Sequence, residues 1–223
     1  MTQTLSARPL VVRTAAARRP AARGLLAGAL VAGPLFLGAG VAQGLTRDGF
    51  DFTRNAISQL ALGDSGWVQT ANFLVTGVLV LAGAAGLRRT LREGPGGTCG
   101  PALIAVFGAS FLAAGAFPAD AGAGFPAGAP ETAAMSTNGA LHMAAGVAGY
   151  LALCAAFLVL ARPLAARGHR AWALASRIAP AAVLTGFMAS AASVLAFTVG
   201  AGLGLCWLAA VAARLLTDVR HEA

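Results

Sequence analysis

The hydrophobic positions of this chain lie in long unbroken blocks, and its charged positions are confined to the gaps between them. Residues 25–45, 67–87, 101–117 and 138–161 carry no Asp, Glu, Lys or Arg, and 178–216 carries only Arg214. A helix rises about 1.5 Å per residue, so roughly 17–25 apolar residues cross a hydrocarbon layer of about 30 Å. Each of the first four blocks therefore predicts one transmembrane helix. The last block is too long for one crossing and predicts two short ones, turning at 198–202. A transmembrane β-barrel needs alternating segments of about ten residues, the opposite of these Ala/Leu/Val/Gly runs. The pattern predicts an all-α bundle of six transmembrane helices over 24–216. A basic, disordered cytoplasmic tail over 1–23 precedes it and a short cytoplasmic tail over 217–223 follows.

The gaps carry their own signals. Within 46–66, Thr53 is placed to cap a short helix that sets Ile57, Leu60 and Ala61 on one face and is closed by Gly63. This predicts a helix lying at the membrane interface, with Phe50, Phe52 and Trp67 as interfacial anchors and Asp51 paired locally with Arg54. A Gly/Pro turn over 94–100 separates the second and third spans, and a Gly/Pro/Ala-rich loop separates the third and fourth. With the amino terminus inside, fourteen of the sixteen arginines fall on the inner side and only Arg47 and Arg54 on the outer. That asymmetry predicts that both termini are cytoplasmic.

Composition agrees with a bilayer location: 57% hydrophobic and 11% charged residues are far from the balance of a soluble domain. The net charge of +8 does not indicate nucleic acid, because the arginines sit at the ends of apolar runs without interleaved aromatics. Arginine without any lysine fits a bacterium of high GC content, and hence a plasma-membrane location. Cys99, Cys154 and Cys206 fall in separate segments and offer no CxxC pair. His142 is the lone histidine inside a span, one short of the axial pair a membrane cytochrome uses, so no metal or cofactor is expected. No Asp or Glu falls within a predicted span, which argues against a proton-coupled carrier. An uncharged path through Asn72, Thr76, Thr185, Ser190 and Ser193 leaves a carrier of small uncharged solutes as one reading. Small-residue pairs such as Gly24/Gly28, Gly186/Ser190 and Gly200/Gly204 allow close helix contacts, within the chain or in a homo-oligomer.

Candidate chemistry gathers at the outer side: Ser58, Asp120 and His142. His142 lies four residues beyond Asn138, about 6 Å along the helix, and so within reach of the loop that holds Asp120. A Ser/Asp/His cluster of this kind could activate a nucleophile if the three groups were aligned. The competing structural reading has Asp120 satisfying loop amides and His142 bonded to a loop carbonyl or to Asp120, and it is the reading favoured here.

The segments Ser58-Gln59-Leu60 with Gly63 and Trp67, Asn72-Phe73 with Gly77, Gly108, Gly115-Ala116-Phe117-Pro118-Ala119-Asp120 and Asn138-Gly139-Ala140-Leu141-His142 together resemble the bacterial membrane family catalogued as domain of unknown function 998. The resemblance spans roughly residues 27–216 and is most specific in the FPxD and NGxLH segments. It implies a six-helix integral membrane protein without an assigned activity and brings no catalytic residues with it. The leading functional expectation is a non-enzymatic membrane protein binding a lipid, small molecule or partner at its outer face. The alternatives are a membrane-embedded hydrolase using Ser58, Asp120 and His142, and the uncharged-solute carrier.

Overall fold

The computed structural model describes residues 8–91 and 96–221, with side chains over 21–91 and 96–218. The first residues of the basic tail, Arg92 and the start of the 94–100 turn lie outside the described residues. Among the described residues the chain forms six long helices: α1 (Arg8–Thr46), α2 (Gly66–Thr90), α3 (Cys99–Ala116), α4 (Thr137–Ala166), α5 (Arg170–Met188) and α6 (Val194–His221). All six are long and apolar enough to cross a membrane, the apolar part of α1 being Ala21–Thr46 and that of α6 Val194–Asp218. The helix boundaries follow local chemistry. Pro101 sits in the first turn of α3, where its missing N–H is no loss, Arg88 and Arg89 occupy the last turn of α2, and the Ser136 hydroxyl caps α4 by accepting from Gly139 N at 3.0 Å.

Each helix packs on the next in sequence and α6 returns to α1, so the bundle is a closed ring. Glycines set the seams. The backbone of Gly83 and Gly86 lies against Ala29 and Leu26 of α1, and Gly77 faces Gly108 between α2 and α3. Gly186 meets Gly200 between α5 and α6, where a Cβ on either would approach the other's Cα to under 3 Å. Without a hydrophobic driving force between helices inside lipid, such close approach supplies the dispersion contacts that hold the ring.

That seam corrects the reading of residues 178–216. The turn lies at a 3₁₀ segment, Ala189–Ala191, with Ala192 and Ser193 leading into α6, and 198–202 is helical. Helix α5 also starts earlier than expected, at Arg170, so neither span is short and α6 carries Asp218 within its helix. The run Thr198-Val199-Gly200-Ala201-Gly202 resembles a turn in sequence because it is glycine-rich, yet its glycine serves helix contact.

At one end of the ring, here called the loop end, residues 47–65 and 117–136 fold over each other. Arg47 donates to the carbonyls of Leu60 (3.1 Å) and Leu62 (2.7 Å) and lies over the Phe125 ring at 5.3 Å. Gln59 donates to the carbonyls of Asp120 and Gly122, both at 3.3 Å, tying the two loops together. The expected short helix is present as a 3₁₀ helix, Ile57–Ala61, with Ile57 and Leu60 buried in the bundle. Thr53 does not cap it. Its N–H and hydroxyl both bond Asp51, and Arg54 pairs with Glu131 of the other loop instead of with Asp51.

Candidate functional site

Beneath the loop end the ring encloses a cavity of about 500 Å³ that reaches every helix. On α4 its wall follows one helical face, Gly139, His142, Met143, Gly146, Val147 and Tyr150, at spacings of three and four. By helix rise this face runs about 16 Å from Gly139 to Tyr150. A continuous series of ring contacts runs along it. His142 meets Phe73 edge-on at 5.9 Å, Phe73 and Phe36 both pack on Phe111, and Phe107 joins Phe111 to Tyr150. Tyr150 then meets Phe187, and Phe187 meets Phe197 at 4.8 Å, so the aromatic series touches all six helices. Met143 and Val147 are 57% and 46% exposed although they line the cavity, which opens to the bundle surface beside them.

All three sequence-predicted site residues line this cavity, but not as a relay. His142 Nδ1 is 2.8 Å from the carbonyl oxygen of Phe117. A carbonyl can only accept, so Nδ1 carries the proton; Nε2 has no partner among the described residues, and in this tautomer it is the accepting nitrogen. Asp120 is engaged elsewhere: Ser136 donates to it from its hydroxyl (2.5 Å) and its backbone N–H (3.1 Å). Those bonds, the hydroxyl first, hold the Asp120 carboxyl below its ordinary value of 3.8, against an opposing effect of burial. Ser136 passes the connection on to α4 by capping Gly139, whose missing side chain leaves room for the carboxylate. The Ser58 hydroxyl makes no hydrogen bond among the described residues. A serine nucleophile needs its base beside it and an orienting group behind the base. Here the orienting position is held by a backbone carbonyl, and no Ser58–His142 bond is present.

Of the residues proposed for an uncharged path, only Ser190 lines the cavity. Asn72 is buried against α1, where its amide donates to the Phe36 carbonyl and to Gln69, and Thr76 is buried nearby. Among the described residues no three His, Cys, Asp or Glu side chains come together as a metal-binding group.

Sequence reasoning missed two features. The aromatic series joins rings from six separate segments, and its trace along the chain is the placement of Phe36, Phe73, Phe111, Phe187 and Phe197 in five spans, with the single tyrosine, Tyr150, in the sixth. The second feature is a charged cluster at the opposite end. His169 Nε2 lies 2.9 Å from Asp218 and 3.1 Å from the Arg214 guanidinium, and Arg214 also pairs with Asp218 at 3.0 Å. Beside it Trp172 stacks on Trp207, whose indole N–H donates to Ser176 at 3.1 Å. The i, i+4 spacing of Arg214 and Asp218 was the available signal.

Compared with known proteins, residues 30–214 match a family described as protein of unknown function, DUF998. No curated protein and no solved structure matches the chain.

Proposed function

Since the chain belongs to the DUF998 family, whose function is unknown, we propose its role from its own geometry: it binds an amphiphilic small molecule or lipid in the cavity beneath the loop end. The observation that carries this reading is a cavity of about 500 Å³ with apolar and aromatic walls and its polar groups gathered toward one end. That volume lies within the range of small-molecule sites, which are mostly apolar with a few placed polar groups. An apolar ligand entering from water would gain about 0.8 kcal/mol per buried methylene. The opening beside Met143 and Val147 gives such a ligand a lateral route from the surrounding lipid.

The arginine asymmetry supports an orientation with the loop end on the outer side of a plasma membrane and both termini in the cytoplasm. A cysteine at Gly124 should then react with an impermeant thiol reagent applied to intact cells, and one at Gly96 should not. Labelling of the second and not the first would invert the orientation.

Gly146 supplies the test of binding. It lines the cavity and has nothing within 4 Å of where a Cβ would stand, so the side chain of Gly146→Leu starts in open space and reduces the cavity from its wall. An uncharged pyrene-labelled alkane should bind the purified protein saturably, and Gly146→Leu should weaken that binding at least tenfold. Equal binding by the two proteins would refute the cavity as the site.

A further inference from the structure

The cavity's polar groups specify a head group, an inference that rests on the cavity being the binding site. Among the described residues no arginine lines it, and the full charge on its wall is the carboxylate of Asp120. An anionic head would be desolvated beside a like charge with no counter-ion, a heavily penalised arrangement. Both Asp120 oxygens already accept from Ser136, which weakens their claim on a cationic head. The remaining groups are hydroxyls, amides and an imidazole. With Nδ1 donating to the Phe117 carbonyl, His142 Nε2 is the accepting nitrogen of that tautomer. The Ser58 hydroxyl both donates and accepts. Thr198 lines the α6 wall, but its Oγ1 has no exposed surface and no partner among the described residues, so it reaches a ligand by a χ1 rotation, threonine having two rotamers open to it in a helix. Thr198 lies four residues into α6 and His142 five into α4, so the two stand at similar depth below the loop end. Below them the wall is apolar and aromatic down to Tyr150 and Leu205, apart from Ser110, whose hydroxyl donates to the Phe107 carbonyl.

We propose that the cavity selects a neutral, hydroxyl-headed single-chain lipid of the monoacylglycerol class, with its glycerol hydroxyls on Ser58 and His142, its ester carbonyl on Thr198 and its chain running between Phe111 and Tyr150. For a ligand drawn from the bilayer, moving a chain from hydrocarbon into an apolar cavity gains little, because lipid tails are as apolar as the wall. Discrimination among membrane amphiphiles therefore falls to the head. Each neutral hydrogen bond changes affinity by about 3- to 10-fold.

The experiment is displacement of the pyrene-labelled alkane from the purified full chain by four competitors with the same oleoyl or oleyl chain: monooleoylglycerol, oleyl alcohol, oleate and oleyltrimethylammonium. Monooleoylglycerol should displace the probe at least tenfold more strongly than oleate or the ammonium, with the alcohol between. Ser58→Ala and Thr198→Val should each lower the preference for monooleoylglycerol over the alkane by about 3- to 10-fold. The proposal is overturned if oleate or the ammonium competes as well as monooleoylglycerol. It is overturned equally if the alcohol matches monooleoylglycerol and the variants leave the preference unchanged. In either case Gly146→Leu still reports separately on the cavity: loss of probe binding in that variant leaves the site standing with a different head group. Retention removes both readings.

Discussion

The two ends of the ring each hold a histidine between two elements, and they use it in opposite ways. At the terminal end His169 meets Asp218 and Arg214, which also meet each other, and the side chains are largely buried, with a stacked Trp172–Trp207 pair on the same two helices. Every polar group in that cluster has a protein partner, so it acts as a clasp between the start of α5 and the end of α6. At the loop end His142 has one nitrogen fixed by the Phe117 carbonyl and the other without a partner among the described residues, on the wall of an apolar cavity. The contrast separates stabilising from binding: a saturated polar cluster in a packed region serves the fold, whereas an unsaturated one over empty apolar space is prepared for something else.

The sharpest way to break this comparison uses two glycines one turn apart on α4. Gly146 faces the cavity, whereas a Cβ at Gly149 would overlap the side chain of Ser110 on α3. Gly149→Leu must push α3 and α4 apart, and overpacking of this kind costs about 1–3 kcal/mol, or more where backbones are in contact. It should show the largest loss of thermal stability in detergent. Gly146→Leu should keep the wild-type melting temperature or raise it, since leucine gains up to about 1 kcal/mol over glycine in a helix interior. If both variants lose stability alike, the space beside Gly146 is packed in solution and the loop end resembles the terminal end after all.

A smaller effect is expected from opening the clasp. Breaking a fully buried ion pair by removing one partner costs about 3–5 kcal/mol, but Asp218 and Arg214 retain 16% and 30% exposure. Solvent screening brings the expected loss for Asp218→Asn or Arg214→Gln down to about 1–2 kcal/mol. The double variant should lose less than the sum, because the shared contact disappears once. Binding of the alkane probe should be unaffected in all three. A fall in probe affinity without loss of stability would show that the two ends are coupled.

The architecture was readable from sequence because uncharged length is a direct physical requirement for crossing lipid, and four of the six spans appear at nearly the boundaries that the apolar blocks predict. The α5–α6 turn was not readable: glycine marks a turn and a close helix contact equally, and only the facing of Gly186 and Gly200 tells which applies. The grouping of Ser58, Asp120 and His142 at one end followed from topology and is present. Their bonding did not follow, since Ser136 lies between Asp120 and His142 in the chain and takes the carboxylate first. Ser136 directly precedes the apolar run of α4, where an N-cap serine is expected, and could have been singled out on that ground. The cavity left the weakest trace, because empty space arises from how helices diverge and no single residue encodes it.

The smallest expected effect lies in the Asp120–Ser136–Gly139 connection, which holds the loop end against α4 without contributing to the clasp. Ser136→Ala removes an N-cap and should cost about 1 kcal/mol at neutral pH. Asp120 adds a dependence on acid. Its folded carboxyl titrates below the ordinary value of 3.8 because Ser136 donates to the ionised form. A depressed folded value means that its contribution is fully present above the unfolded value and is lost as pH falls through the folded one. Between pH 5 and 8 this group should therefore leave stability flat, with the loss confined to more acidic solution. In Ser136→Ala the hydroxyl that chiefly lowers the value is gone, so the folded and unfolded values converge and less stability remains to be lost on acidification. Melting curves from pH 7 down to pH 3 for both proteins measure the difference, which should be a shallower acid limb in the variant. Parallel acid limbs would mean that the Ser136 hydroxyl does not hold Asp120, and that the loop end is closed by its other contacts, those of Gln59, Arg47 and Arg54 among them.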